Sequence, residues 1–198
     1  MTKRIGLTGG IACGKSEVTA RLLYHRIPVL DTDHVAHALL KVGHPVFDAV
    51  RAHFGNQFLN THGDLDRGKL GKKVFEDPEA LKQLNALMHP EIIKQLCTWL
   101  AEQKSPLAVV AVPLLFEEGL ERLFDGILCV WAPERLMNER LQKRNLTEND
   151  AVLRIRAQMP VDLKVAKSTW TFKNNRTLDD LYQQVDAWVN QMIPQEKN

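Results

Sequence analysis

The sequence predicts an α/β protein with a doubly wound parallel sheet, and three observations predict it. Short apolar runs recur along the 198 residues with helix-patterned segments between them, the order that builds parallel sheets with right-handed crossovers. Leu107 to Val112 is apolar at every position, as in a strand covered on both faces. The first apolar run leads directly into Gly9-Gly10-Ile11-Ala12-Cys13-Gly14-Lys15-Ser16, a glycine-bearing string of the kind that joins a strand to a helix.

In chain order, Lys3 to Thr8 reads as a short buried strand, and Lys15 to Tyr24 as a helix with Val18, Leu22 and Leu23 on one face. Ile27 to Leu30 is a second strand ending in Asp31-Thr32-Asp33. Residues 34–104 lack strand patterns and read as helical, with breaks at Gly43-His44-Pro45, Thr61-His62-Gly63 and Asp77-Pro78. That block is long for a crossover and reads as an inserted helical subdomain. His89-Pro90 reads as a helix start, where proline is tolerated. After the strand Leu107–Val112, Pro113 leads into Leu114-Leu115-Phe116-Glu117; Asp125 to Trp131 gives a fourth strand and Trp170 to Phe172 a short fifth. Pro133 to Arg144 is helical, Thr147 is a helix cap, and Leu178, Leu181, Val185, Trp188 and Met192 form the stripe of a C-terminal amphipathic helix. Pro194 to Asn198 is a polar tail.

Composition narrows the function classes. Hydrophobic residues at 44% and charged residues at 25% are ordinary globular values. A net charge of +2 announces neither a nucleic-acid nor a membrane partner, and basic residues concentrate only around 135–156. Cys13, Cys97 and Cys129 are odd in number, far apart and without metal-ligand spacing, which points to reduced thiols in a cytoplasmic protein. No signal pattern precedes the first strand, and no apolar run approaches a membrane span.

The string Gly9 to Ser16 matches G-x-x-x-x-G-K-[ST] between a strand and a helix, the context that a phosphate-binding loop requires. Gly9 and Gly14 let successive N–H groups turn inward around an anion, and the following helix adds its positive end. Lys15 suits the β and γ phosphates of a nucleotide, and the Ser16 hydroxyl suits Mg²⁺. Cys13 lies near Lys15 and a helix N-terminus, both of which lower a thiol's pKa; the other reading is a small residue in place of serine. Ligands of open parallel sheets bind beyond the carboxyl ends of the strands, so Asp31 and Asp33 leave the second strand toward the same crevice. One of them caps the next helix and the other is available for chemistry.

His34 and His37 have the i,i+3 spacing of a metal pair, but no further ligand follows at suitable spacing. Arg140, Arg144 and Arg154 suit a flap that screens charge on a transferring phosphoryl group, while Arg135, Lys143 and Arg156 read as a solvated face. There is no Asn-Lys-x-Asp string of a guanine reader, no acid-rich strand end of a hydrolytic motor, and no long coupling element. The parts present suit transfer of a phosphoryl group to an acceptor hydroxyl. Another small-molecule or nucleoside kinase, or a nucleotide-sensing module without turnover, are the alternatives.

The chain resembles the dephospho-CoA kinase family over nearly its whole length. The likeness rests on Ile5 to Ile11 leading into Gly14-Lys15-Ser16, then Asp31-Thr32-Asp33, Leu65-Asp66-Arg67, His89-Pro90, Pro113 to Glu117, the spaced Arg140, Arg144 and Arg154, and Gln158-Met159-Pro160. The resemblance implies a nucleoside monophosphate kinase-like P-loop fold, with a five-stranded parallel sheet and helices on both faces. It implies a core of residues 1–33, 105–132 and 168–198, a helical acceptor-binding insert at 34–104, and an arginine-bearing lid at 133–167. The implied reaction is phosphorylation of the ribose 3′-hydroxyl of dephospho-CoA by ATP with Mg²⁺.

By resemblance Asp33 is the base, and Lys15 and Arg140 complete the catalytic set. Gly9, Gly10, Ile11, Ala12, Cys13, Gly14, Lys15, Ser16, Glu17, Arg144 and Asn174 meet ATP. Asp33, His89, Leu114, Glu117 and Arg154 meet the acceptor. Ser16 meets the metal, with Asp31 acting through water. No nucleic-acid or membrane partner is implied, and the chain is expected to be a monomer or small homo-oligomer. Against the family's usual residues, Ala12-Cys13 replaces Gly-Ser, Glu17 replaces Thr, His37 replaces Arg, Ala111 replaces Asp, Ser168-Thr169 replaces Ala-Asp, and Arg176 replaces Gly. Glu17 thereby removes a hydroxyl that would meet the α phosphate.

Overall fold

The computed structural model describes residues 2–144 and 146–193. The polar tail at 194–198 lies outside the described residues. Five strands form one parallel sheet in the order β2-β3-β1-β4-β5: β1 (Lys3–Gly9), β2 (Val29–Asp31), β3 (Leu107–Ala111), β4 (Gly126–Trp131) and β5 (Trp170–Lys173). The helices are α1 (Lys15–Tyr24), α2 (Thr32–Leu39), α3 (Pro45–Phe54), α4 (Arg67–Glu76), α5 (Pro78–Glu102), α6 (Glu134–Gln142), α7 (Glu148–Arg156), α8 (Val161–Lys167) and α9 (Leu178–Met192). The chain divides into two compact units, one of residues 1–31 and 102–198, the other of residues 32–101.

The sheet unit owes its layers to strand alternation. Ile5 and Leu7 of β1 face a core shared with Val109, Ala111, Leu128 and Val130, covered by Val18 and Leu22 of α1 and by Leu181, Val185 and Trp188 of α9. Each of the Val, Leu and Ile side chains among them contributes roughly 1.5–3 kcal/mol by leaving water. On the other face of β1, Gly6 leaves room for Leu115 and Phe124, and α8 packs against β4 and β1. Arg21 of α1 forks onto Asp186 of α9 with two bonds of 2.7 and 2.6 Å, and His25 Nε2 lies 2.7 Å from the same carboxylate. The Arg21 bond holds the Asp186 carboxyl at about 2, below its ordinary 3.8.

The helical unit is assembled from local devices. His44 Nδ1 accepts the Val46 N–H at the start of α3, Asp66 accepts the Lys69 N–H at the start of α4, and Lys73 pairs with Asp77 at 2.7 Å. Val46, Phe47, Val50, Phe54, Leu70, Met88 and Leu96 are buried there. Among the described residues no helix is long and apolar enough to cross a membrane.

Four expectations are corrected. Leu23 is 52% exposed, because Val18 and Leu22 are four apart and take the inward line, which leaves the adjacent residue about 100° away. Leu178 is exposed because it opens the first turn of α9, ahead of the part that reaches the core. Pro90 does not start a helix: it lies inside the 25-residue α5, whose first residue is Pro78. Burial of Ala80 and Met88 before it and of Leu96 and Leu100 after it offsets the roughly 3 kcal/mol that an interior proline costs. The helix after β2 begins at Thr32, so Asp33 sits inside its first turn rather than before it, and Asp31 is the last strand residue.

Candidate functional site

All five strands run the same way, so their carboxyl ends share one edge of the sheet. The glycine loop leaves β1 there, Asp31 ends β2, Pro113 to Glu117 follow β3, Ala132 follows β4 and Asn174 follows β5. Among these, the loop 9–16 is the most tightly specified. Gly9 ends β1 so close to β4 that a Cβ would lie 2.4 Å from the Val130 carbonyl oxygen. Gly14 has φ +100, and a Cβ there would lie 2.2 Å from Asn174 Nδ2. Between them Ala12 also adopts φ 58, a left-handed conformation that costs a non-glycine residue about 1–2 kcal/mol.

Lys15 Nζ arches over the loop and donates to the carbonyl oxygens of Gly9 and Gly10 at 3.1 and 3.2 Å. Ser16 is exposed in the first turn of α1. Asn174 is buried and its Nδ2 donates to the Cys13 carbonyl at 2.8 Å. Across a trans peptide the next N–H points the opposite way, so this bond directs the Gly14 amide away from Asn174. Arg140 on α6 donates to the Ala12 carbonyl at 3.1 Å and to Asn174 O and Oδ1 at 3.1 and 3.2 Å. The guanidinium therefore braces the loop through its backbone.

Two loop residues have side chains held by neighbours outside the loop. Cys13 is fully buried with its Sγ 3.4 Å from Met137 Sδ, and burial raises its thiol pKa despite the opposing charge of Lys15. Desolvation outweighs the neighbouring cation here, which favours the reading of Cys13 as a small residue in place of serine. Glu17 turns its carboxylate to the Tyr182 hydroxyl of α9 at 3.0 Å, a bond that raises the tyrosine pKa. Its side chain is committed to helix packing.

Beyond β3, Leu114 is 37% exposed. Glu117 accepts from the Met159 N–H at 2.9 Å and from Lys164 Nζ at 2.8 Å. Lys164 is fully buried on α8 and also donates to the Pro113 carbonyl at 2.8 Å. The preceding Gln158 accepts the Ile11 N–H at 3.0 Å. Arg144 and Arg154 are exposed, one after α6 and the other on α7. Asp33 and His89 belong to the helical unit, Asp33 exposed on α2 and His89 half-buried within α5.

No group of three or more His, Cys, Asp or Glu close enough to hold a metal ion occurs among the described residues. Mg²⁺ bound chiefly by nucleotide phosphates and water needs no such cage, and the exposed Ser16 hydroxyl at the start of α1 fits the single protein ligand this arrangement requires.

Neither the contact of Gln158 nor the burial of Lys164 is signalled by the sequence. Both partner with residues far away in sequence, and a lysine on a short helix carries no local sign of burial.

The family model for dephospho-CoA kinase matches residues 3–180. The chain belongs to the dephospho-CoA kinase family. It is similar to the dephospho-CoA kinase of Enterococcus faecalis, with 37% identity over 196 residues covering 98% of each chain. Two solved structures align along almost the entire length. A Thermus thermophilus protein has a TM-score of 0.82 at 35% identity, covering 97% of this chain and 98% of its own. The dephospho-CoA kinase of Campylobacter jejuni has a TM-score of 0.71 at 25% identity with the same coverage. The phosphate loop, the Arg140 and Asn174 brace and the Glu117 and Lys164 pair all lie within the stretch matched by the dephospho-CoA kinase family model.

Proposed function

We propose that this chain transfers the γ-phosphoryl group of ATP to the ribose 3′-hydroxyl of dephospho-CoA, giving ADP and coenzyme A in the last step of coenzyme A synthesis. The observation that carries the reading is the full-length match to the dephospho-CoA kinase family, with a glycine loop whose backbone and lysine are arranged for a polyphosphate.

Phosphoryl transfer proceeds through a loose transition state, so positioning and charge stabilisation carry most of the acceleration. The loop amides and the start of α1 receive the phosphates, with Gly9 to Ser16 as their cradle. Lys15 stands over the loop on the Gly9 and Gly10 carbonyls, from where its charge would meet the β and γ oxygens of a bound nucleotide. Ser16 Oγ would hold Mg²⁺, with Asp31 acting through water, and the bound ion would supply positive charge to the phosphate oxygens. Asp33 accepts a hydrogen bond from the 3′-hydroxyl and takes its proton late. Arg140 keeps its charge beside the loop while bracing it, and Asn174 shapes the wall next to Gly14. Arg144 and Arg154, exposed, are the cations of the flap that closes over the nucleotide and excludes water.

The acceptor is assigned to the helical unit, and His89 and Leu114 are among its contacts. Glu117 acts there through the loop it anchors to Lys164. Three free cysteines, two of them buried, agree with a cytoplasmic enzyme. The test is ADP formation with ATP and Mg²⁺, with and without dephospho-CoA and against other nucleoside and small-molecule acceptors. Stimulation by dephospho-CoA alone is expected. Equal ADP release without acceptor, or stimulation by a different acceptor class, contradicts the reading.

A further inference from the structure

Three consecutive residues of the phosphate loop each have a backbone group held by a side chain from a different later segment. The Ile11 N–H donates to Gln158 between α7 and α8, the Ala12 carbonyl accepts from Arg140 on α6, and the Cys13 carbonyl accepts from Asn174 after β5. Ala12, at the centre of this stretch, is left-handed with φ 58. An alanine leaves that region for the right-handed one unless its surroundings hold it.

Arg140 and Asn174 are tied to each other as well as to the loop. Gln158 has its own anchor. The next residue, Met159, donates its N–H to Glu117, and Glu117 is paired with the buried Lys164, which also holds the Pro113 carbonyl. Thr8, just before the loop, donates to the same Pro113 oxygen at 3.2 Å. A chain of polar contacts thus runs from the end of β1 through the loop after β3 to the α7–α8 turn and back to Ile11.

We propose that Gln158 is a positioning residue for the phosphate loop. With Arg140 and Asn174 it forms a three-point clamp that keeps Ile11-Ala12-Cys13 in the anion-receiving shape. The Glu117 and Lys164 pair holds Gln158 in register. The proposal rests on the phosphate-loop reading and is independent of which acceptor the enzyme uses.

The test uses the full chain and inorganic tripolyphosphate as the probe, with affinity measured calorimetrically beside the KM for ATP. Gln158→Leu should weaken tripolyphosphate binding by about tenfold, the weight of one lost hydrogen bond, and raise the KM for ATP to match, with the melting temperature nearly unchanged. Adding Ala12→Gly should recover most of that loss, because glycine takes the left-handed conformation without steric cost. Gln158→Met, which keeps the unbranched stem, serves if Gln158→Leu does not fold. Wild-type affinity in both Gln158 variants overturns the proposal. So does a loss that Ala12→Gly leaves untouched, since that marks Gln158 as a direct ligand contact or a general fold residue. A wild-type chain that binds no tripolyphosphate, or binds it as well after Lys15→Ala, overturns the loop reading itself and the clamp with it.

Discussion

In the helical unit of residues 32–101, backbone groups are held by side chains close in sequence. Asp66 caps the helix that starts at the next residue, Asn60 bonds the amides of His62 and Asp64, and even the contacts His53–Gln83 and Arg67–His37 span only 30 residues. In the phosphate loop the holders are remote: Arg140, Gln158 and Asn174 stand 128, 147 and 161 residues from their partners. Local devices fix a helix as soon as the chain is made. Remote ones fix the loop only when the whole sheet has closed, which ties the shape of the phosphate loop to completion of the fold.

Removing the loop's own charge should produce the largest effect. Lys15→Ala is expected to lose about a hundredfold or more in transfer, the scale for a preorganised charge aimed at the reacting group. Thermal stability should stay close to wild type, because Lys15 is half-buried over the loop rather than packed in the core. A folded variant with unchanged rates would break the contrast at its most sensitive point.

The helical unit's counterpart is Asp33. Asp33→Asn should bind both substrates nearly normally and turn over at least about a hundredfold more slowly, as loss of a general base typically costs. Asp31→Asn should be milder. The reverse pattern, measured by calorimetry and steady-state rates, would move the base to the strand end.

A smaller effect concerns the Arg21–Asp186 pair that joins α1, the helix of the loop, to α9. The carboxyl is held at about 2 when folded, below its ordinary 3.8. Its contribution is fully present above about pH 4 and is lost as pH falls from there through about 2, because the unfolded chain takes up the proton first. Asp186→Asn should therefore lower stability at neutral pH and flatten the acid limb of a stability–pH curve. An acid limb identical to wild type would exclude the pair as a source of stability.

The smallest effect is a rate of modification. Cys97 is exposed while Cys13 and Cys129 are buried, and burial pushes the Cys129 thiol to about 12. Iodoacetamide followed by mass spectrometry should label Cys97 first, with Cys13 slow whether or not ATP is present. Rapid labelling of Cys13 that ATP blocks would restore the activated thiol that its neighbours Lys15 and α1 suggest in sequence.

This contrast also explains how much of the molecule was legible in sequence. The strands, Thr147 as a cap, and Leu181, Val185 and Trp188 as a buried stripe follow from periodicity and local chemistry, and they appear as expected. Gly9 to Ser16 was legible because spacing alone carries its geometry. Burial of Lys164, the commitment of Gln158 to Ile11, the turn of Glu17 toward Tyr182 and the passage of α5 through Pro90 were not legible. Each depends on a partner or a packing face that is distant in sequence, where residue type sets what is possible but not which contact forms.

Transfer to the 3′-oxygen is tested by comparing dephospho-CoA with its 3′-deoxyribose analogue under identical ATP and Mg²⁺, following ADP and the new phosphomonoester by phosphorus NMR. One phosphomonoester on the 3′-oxygen is expected for each ADP with the natural acceptor, and neither product above background with the analogue. Phosphorylation of the analogue, or equal ADP release from both, would contradict transfer to the 3′-oxygen.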